Sequence, residues 1–210
     1  MTANFKVDNK KISINHLSRD FKLTILSLAL FLLGLILGSF AISLNTDNSC
    51  YGLIDYIKSI YIFRCNSTYF LIVLSSFLSS FVYLLLLYLC GASVFGLFFC
   101  FFIPLFRGFS IGLIAGCLYR FYALSGIGFF ALILLFGLFL STVVIIISCC
   151  DAFKFSLNFF SLLSPITKET LIFSKIKAFT IKFAIYCGIL LISSLIDGLM
   201  SVCFINYFTL

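Results

Sequence analysis

The stretch GLFFCFFIPLFRGFSIGLIAGCL, Gly96 to Leu118, decides how this chain is read. It carries a single charge, Arg107, within an apolar run that also holds Pro104 and glycines at 108, 112 and 116. The apolar character extends from about Ser93 to Tyr122, broken only by Pro104, Arg107 and Arg120. As one helix this would be about 45 Å long, more than the roughly 30 Å of a bilayer's hydrocarbon core. The segment must therefore tilt, kink or break. Pro104 removes a backbone donor and disfavours helical geometry at Ile103, so a kinked or discontinuous helix is expected near Pro104–Gly108.

The rest of the chain repeats the pattern. Of 210 residues, 63% are hydrophobic and 10% charged. A soluble domain of this size cannot hide so much apolar surface, because its outer shell meets water. A bilayer removes that constraint. Apolar spans are expected at about 23–44, 69–90, 93–122, 127–148 and 179–208. They give an all-α, polytopic transmembrane helical bundle of about five spans in a single integral membrane domain. Ser39-Phe40-Ala41 resembles a signal-peptide cleavage site, but the long apolar core and 22-residue polar segment before it favour an uncleaved anchor.

Two polar segments interrupt the spans. In 45–68, Tyr51, Ile54, Ile57, Ile60 and Tyr61 recur at helical spacing, which reads as an amphipathic helix at the membrane surface. The segment 149–178 is basic and punctuated by Phe, and it reads as an interfacial loop. Orientation follows the distribution of Lys and Arg. With the N-terminus inside, the inner segments carry Lys6, Lys10, Lys11, Arg19, Lys22, Lys154, Lys168, Lys175, Lys177 and Lys182, against Lys58, Arg64 and Arg120 outside. This puts loop 149–178 in the cytoplasm, loop 45–68 outside it, and the C-terminus extracytoplasmic. The net charge of +7 is thus spent on topology rather than on nucleic acid.

The glycines of the opening stretch stand four apart, Gly108, Gly112 and Gly116, and form a smooth strip that lets another helix come close. Gly34 and Gly38 repeat this spacing in the first span. Either strip could pack within the fold or against a partner, including a second copy of the chain. Arg107 and Asp197 are the charges deep in apolar runs. Each would cost about 2.5–3.5 kcal/mol at a helix centre, so each needs a partner or water. Counting from span starts places them at similar depth, and they are expected to pair across the bundle interior. Among nine cysteines, Cys50 and Cys65 share a polar loop and could form a disulfide if it faces an oxidising compartment; two unrelated thiols is the competing reading.

Signs of catalysis are missing. His16 is the sole histidine, in the basic N-terminal segment, and no HExxH or Walker sequence occurs. No catalytic residue, metal site or cofactor is expected.

The segments HLSRDFKLTILSLALFLLGLILGSFAISL (16–44), GLFFCFFIPLFRGFSIGLIAGCL (96–118) and FAIYCGILLISSLIDGLM (183–200), in this order, resemble the stage II sporulation protein M family. The resemblance covers nearly the whole chain. Arg107, Gly108 and Gly112 match the family's basic-Gly-x-x-x-Gly segment. Asp197 stands where a glutamate is expected, and Val202 near an expected proline. The resemblance implies a membrane protein of forespore engulfment. Such a protein anchors two cell-wall hydrolases, a lytic transglycosylase and a peptidoglycan amidase/endopeptidase, without being a hydrolase itself. The competing reading is a small permease-like transport component whose broken third helix and Arg107 line a path.

Overall fold

The computed structural model describes residues 2–44, 47–93, 96–162 and 169–205. Among them are six α-helices: α1 (Thr2–Leu44), α2 (Asp47–Asn66), α3 (Tyr69–Gly91), α4 (Gly96–Phe129), α5 (Leu135–Leu162) and α6 (Glu169–Phe204). A short π-helical turn, Phe130–Leu134, joins α4 to α5. Five stretches are long and apolar enough to cross a membrane: Phe21–Leu44, Tyr69–Gly91, Phe98–Ala123, Gly126–Leu157 and Ser174–Phe204. Large apolar side chains such as Leu33, Ile36, Phe98, Phe102 and Phe106 point outward, while serines, Arg107 and Asp197 are buried. An exterior so apolar would aggregate in water, and in lipid it is the wall that meets the acyl chains.

The third apolar helix is broken, but not where proline suggested. Helical dihedrals hold through Pro104–Gly108 and fail at Ala123, with φ 45° and ψ −121°. The reversal between the third and fourth spans therefore begins before Ser125–Gly128. Pro104 is tolerated because its cost is met by a neighbour. A proline cannot donate to the carbonyl four residues earlier, here Cys100, and in lipid an unmet carbonyl is expensive. The buried Cys149 thiol of α5 donates to that Cys100 oxygen at 3.0 Å.

The strips Gly34/Gly38 and Gly108/Gly112/Gly116 pack against each other and form the α1–α4 seam. A Cβ at Gly34 would meet the carbonyl oxygen of Leu105, and one at Gly38 that of Phe109. Reciprocally, a Cβ at Gly108 would meet the Phe31 oxygen, and one at Gly112 the Leu35 oxygen. Gly116 lies against Ser39 and Ile42, at 3.3 and 3.4 Å from its notional Cβ. Both strips pack within the fold, backbone on backbone. Arg120 closes one end of the seam by donating to the Ile42 carbonyl at 2.7 Å, one of the carbonyls that the end of α1 leaves unmet.

Two further expectations change. Residues 149–162 continue α5 as helix rather than forming a loop. Ile145, Cys149, Ala152 and Ser156 are fully buried at three- and four-residue spacing, so the inward face persists although polar residues appear on the other faces. Asp151 bonds there to the Tyr186 hydroxyl at 2.7 Å and to Lys182 at 3.1 Å, joining α5 to α6. The Cys50–Cys65 disulfide is excluded by geometry. Both residues lie on α2, fifteen positions apart, or about 22 Å, far beyond the roughly 7 Å a disulfide allows. Cys65 is a free, exposed thiol.

Candidate functional site

Two apolar clusters plug the bundle. One gathers Leu84, Leu87, Cys100, Val144, Ile145, Cys149, Phe179 and Phe183 from α3, α4, α5 and α6. Stacked rings, Phe155 on Phe179 at 4.1 Å and Tyr88 on Phe179 at 5.4 Å, cover it. The other gathers Ile42, Ile57, Cys117, Leu118, Phe129, Ile133 and Ile205. Along the π-helical turn and α5 the order is telling: Ile133 and Leu134 belong to one cluster, Val144 to Ala152 to the other, and Gly137, Leu138 and Ser141 lie between. That interval is the floor of a cavity of about 770 Å³.

All the elements except α1 contribute to its lining. Helix α2 supplies Leu53, Ile57, Ile60 and Arg64, one stripe at four-, three- and four-residue steps. Helix α3 supplies a polar stripe, Ser75, Ser76, Ser79, Ser80 and Tyr83; α4 supplies Arg107, Ser110 and Ile111; α6 supplies Asp197. The three charged residues of the lining are thus Arg64, Arg107 and Asp197.

Asp197 is 2% exposed, and its partner is Arg64. The guanidinium faces the carboxylate with both terminal nitrogens, Nη2 to Oδ2 at 2.8 Å and Nη1 to Oδ1 at 3.5 Å. Gly137 makes room for this carboxylate, since a Cβ there would stand 2.5 Å from the Asp197 Cβ and 2.8 Å from its Oδ1. Ser193, one turn earlier on α6, donates to the Gly137 carbonyl at 2.8 Å and fixes the register of the two helices.

Arg107 is 5% exposed and has different company. Its Nη2 donates to Ser141 Oγ at 3.1 Å and to Ser80 Oγ at 3.4 Å. Its guanidinium carbon lies 4.9 Å from the centre of the Tyr83 ring, a cation–π distance. Its Nε is buried without an acceptor among the described residues. The expected Arg107–Asp197 ion pair is therefore replaced. Both residues reach the same cavity, but Asp197 sits at Gly137 and Arg107 at Ser141, one turn or about 6 Å apart along α5. Depth counted from apolar run starts does not resolve an offset of a single turn.

Arg64 is the functional residue that sequence reading passed over, since it was counted as one more basic residue outside the membrane. The signal was its place on the apolar stripe of α2, seven residues after Ile57 and four after Ile60. The side chain of His16 lies outside the described residues. Among those described, no three His, Cys, Asp or Glu side chains cluster as a metal site would need.

A family profile, stage II sporulation protein M, matches residues 27–202, a range that includes both glycine strips, Arg64, Arg107 and Asp197. Neither the curated proteins nor the solved structures contain a match to the chain. With five apolar helices and a match across most of its length, the chain belongs to the stage II sporulation protein M family and is a multi-pass sporulation membrane protein.

Proposed function

We propose that the protein is a non-catalytic scaffold in the cell membrane that holds cell-wall hydrolases during engulfment of the forespore. The observation that carries this reading is the placement of α2. This helix is tied into the bundle by Arg64–Asp197 on one face, and it leaves Asp55, Lys58 and Ile62 exposed on the other. With the N-terminus in the cytoplasm and the C-terminus outside, as the Lys and Arg distribution directs, that free face stands on the peptidoglycan side. A lytic transglycosylase and an amidase/endopeptidase, the partners the family resemblance implies, would dock there. The glycine seam suits such a role, because a platform must resist the load its partners transmit.

The test combines crosslinking from Lys58 and Ile62 with membrane-dye microscopy of engulfment in a deletion strain. Capture of the two hydrolases and arrested membrane migration are the expected results. Normal engulfment without the protein would overturn the reading, and tags at both ends reporting the same side would overturn the orientation. The cavity favours a second reading, a permease-like component. Substrate flux lost on replacing Arg107, with hydrolase capture intact, would select it.

A further inference from the structure

We propose that the cavity between α2, α3, α4 and α5 is a binding site for the phosphate headgroup of an anionic membrane lipid, with Arg107 as its anchor. The inference is independent of the scaffold reading and begins with charge. Arg64 and Asp197 pair at 2.8 Å, so the lining keeps a net positive charge and Arg107 has no carboxylate bonded to it. It is buried at membrane depth, where a cation without a counterion is costly. Its protein partners are two serine hydroxyls and a tyrosine ring, none of them an anion, and its Nε has no acceptor among the described residues. A guanidinium that lines the cavity and has no anion hydrogen-bonded to it is suited to a phosphate oxygen.

The shape of the cavity selects the source of that phosphate. At about 770 Å³ it far exceeds a lone inorganic ion and lies in the range of sites that enclose sizeable ligands. Its lining is two-sided: Ser76, Ser79 and Ser80 line one wall, and Leu53, Ile60 and Ile114 another. A headgroup with an attached chain has the same division. Access also fits. Ser59 and Phe63 of α2 and Ser75 and Ser79 of α3 line the cavity yet remain exposed, so the mouth lies sideways between these two helices. The Tyr88, Phe155 and Phe179 rings cover the cluster that closes the opposite end. A lipid enters through such a lateral gap without leaving the bilayer.

Native mass spectrometry of the detergent-purified full chain tests this, after incubation with phosphatidylglycerol, with phosphatidylcholine or with inorganic phosphate. One retained phosphatidylglycerol per chain, little phosphatidylcholine and no effect of inorganic phosphate are expected. Arg107→Gln should weaken phosphatidylglycerol retention about tenfold or more, while Arg107→Lys keeps most of it. Ser79→Phe, which leaves every charge in place and blocks the mouth, gives an independent reading if Arg107→Gln does not fold, and it should also lose the lipid. Equal retention of the two lipids, retention unchanged in Ser79→Phe or in folded Arg107→Gln, or competition by inorganic phosphate alone would overturn the proposal.

Discussion

Arg107 and Gly108 are neighbours in sequence, yet they sit on faces of α4 governed by different physics. Gly108 faces α1 across a seam where a Cβ on it would meet backbone atoms alone. Arg107 faces a cavity where polar side chains hold one another at 2.8–3.4 Å across helices. In lipid, helices gain nothing from hiding apolar surface, so association depends on close packing and on interhelical polar contacts. The seam uses the first and the cavity the second. The comparison suggests that the seam gives rigidity, while the cavity keeps a space open inside a rigid frame. A single helix that serves both must alternate small residues at 108, 112 and 116 with the cavity-facing residues 107, 111 and 114.

The sharpest way to break this contrast is to add volume to the seam. In Gly108→Leu the new side chain would be driven into the Phe31 carbonyl, which cannot swing away as a side chain would. A loss of more than about 3 kcal/mol is expected, enough to abolish a monodisperse folded peak in detergent. Gly188→Leu is the control, because a Cβ there meets nothing within 4 Å, and its change should stay within about 0.5 kcal/mol. If both variants purify alike, the seam is not the rigid element described above.

The polar side of the comparison is tested next. Asp197→Asn removes the carboxylate and leaves Arg64 and Arg107 facing the same space. The expected cost is about 3 kcal/mol, much of it from uncompensated buried charge. Arg64→Gln in the same background should then cost little, so the double variant falls short of the sum of the singles by more than about 1 kcal/mol in denaturant titrations. Strict additivity would mean that α2 is held by its apolar stripe alone, and that the ion pair adds nothing to it.

Sequence made one side of this contrast far more readable than the other. The glycine strips are periodic, so their role as packing faces can be read directly from 34, 38, 108, 112 and 116. Their mutual pairing could not be read, because a smooth strip does not name its partner. Length and apolarity made the spans visible. The helical continuation through Asp151 and Lys154 was hidden, since periodic burial at 145, 149, 152 and 156 is masked by polar neighbours. Arg107 and Asp197 stood out as intramembrane charges, but Arg64 did not, lying as it does near the end of a polar-looking segment. Partner choice among charges depends on offsets of a single turn, and apolar runs locate helix starts less finely than that. The turn at Ala123 was likewise silent, because alanine carries no mark of a positive φ.

A smaller effect on a third face of α4 asks whether polar repair operates outside the cavity. Pro104 deprives the Cys100 carbonyl of its helical donor, and the Cys149 thiol takes that place at 3.0 Å. Cys149→Ala should cost about 0.5 kcal/mol, the scale of interhelical hydrogen bonds in membranes. Cys149→Ser, which keeps a donor, should cost less than Cys149→Ala. The decisive measurement is the same alanine change in a Pro104→Ala background. There the restored backbone N–H of residue 104 reaches the Cys100 carbonyl itself, and the thiol becomes redundant. An unchanged penalty in that background would show that Cys149 acts by filling space, and repair by polar neighbours would then be confined to the cavity.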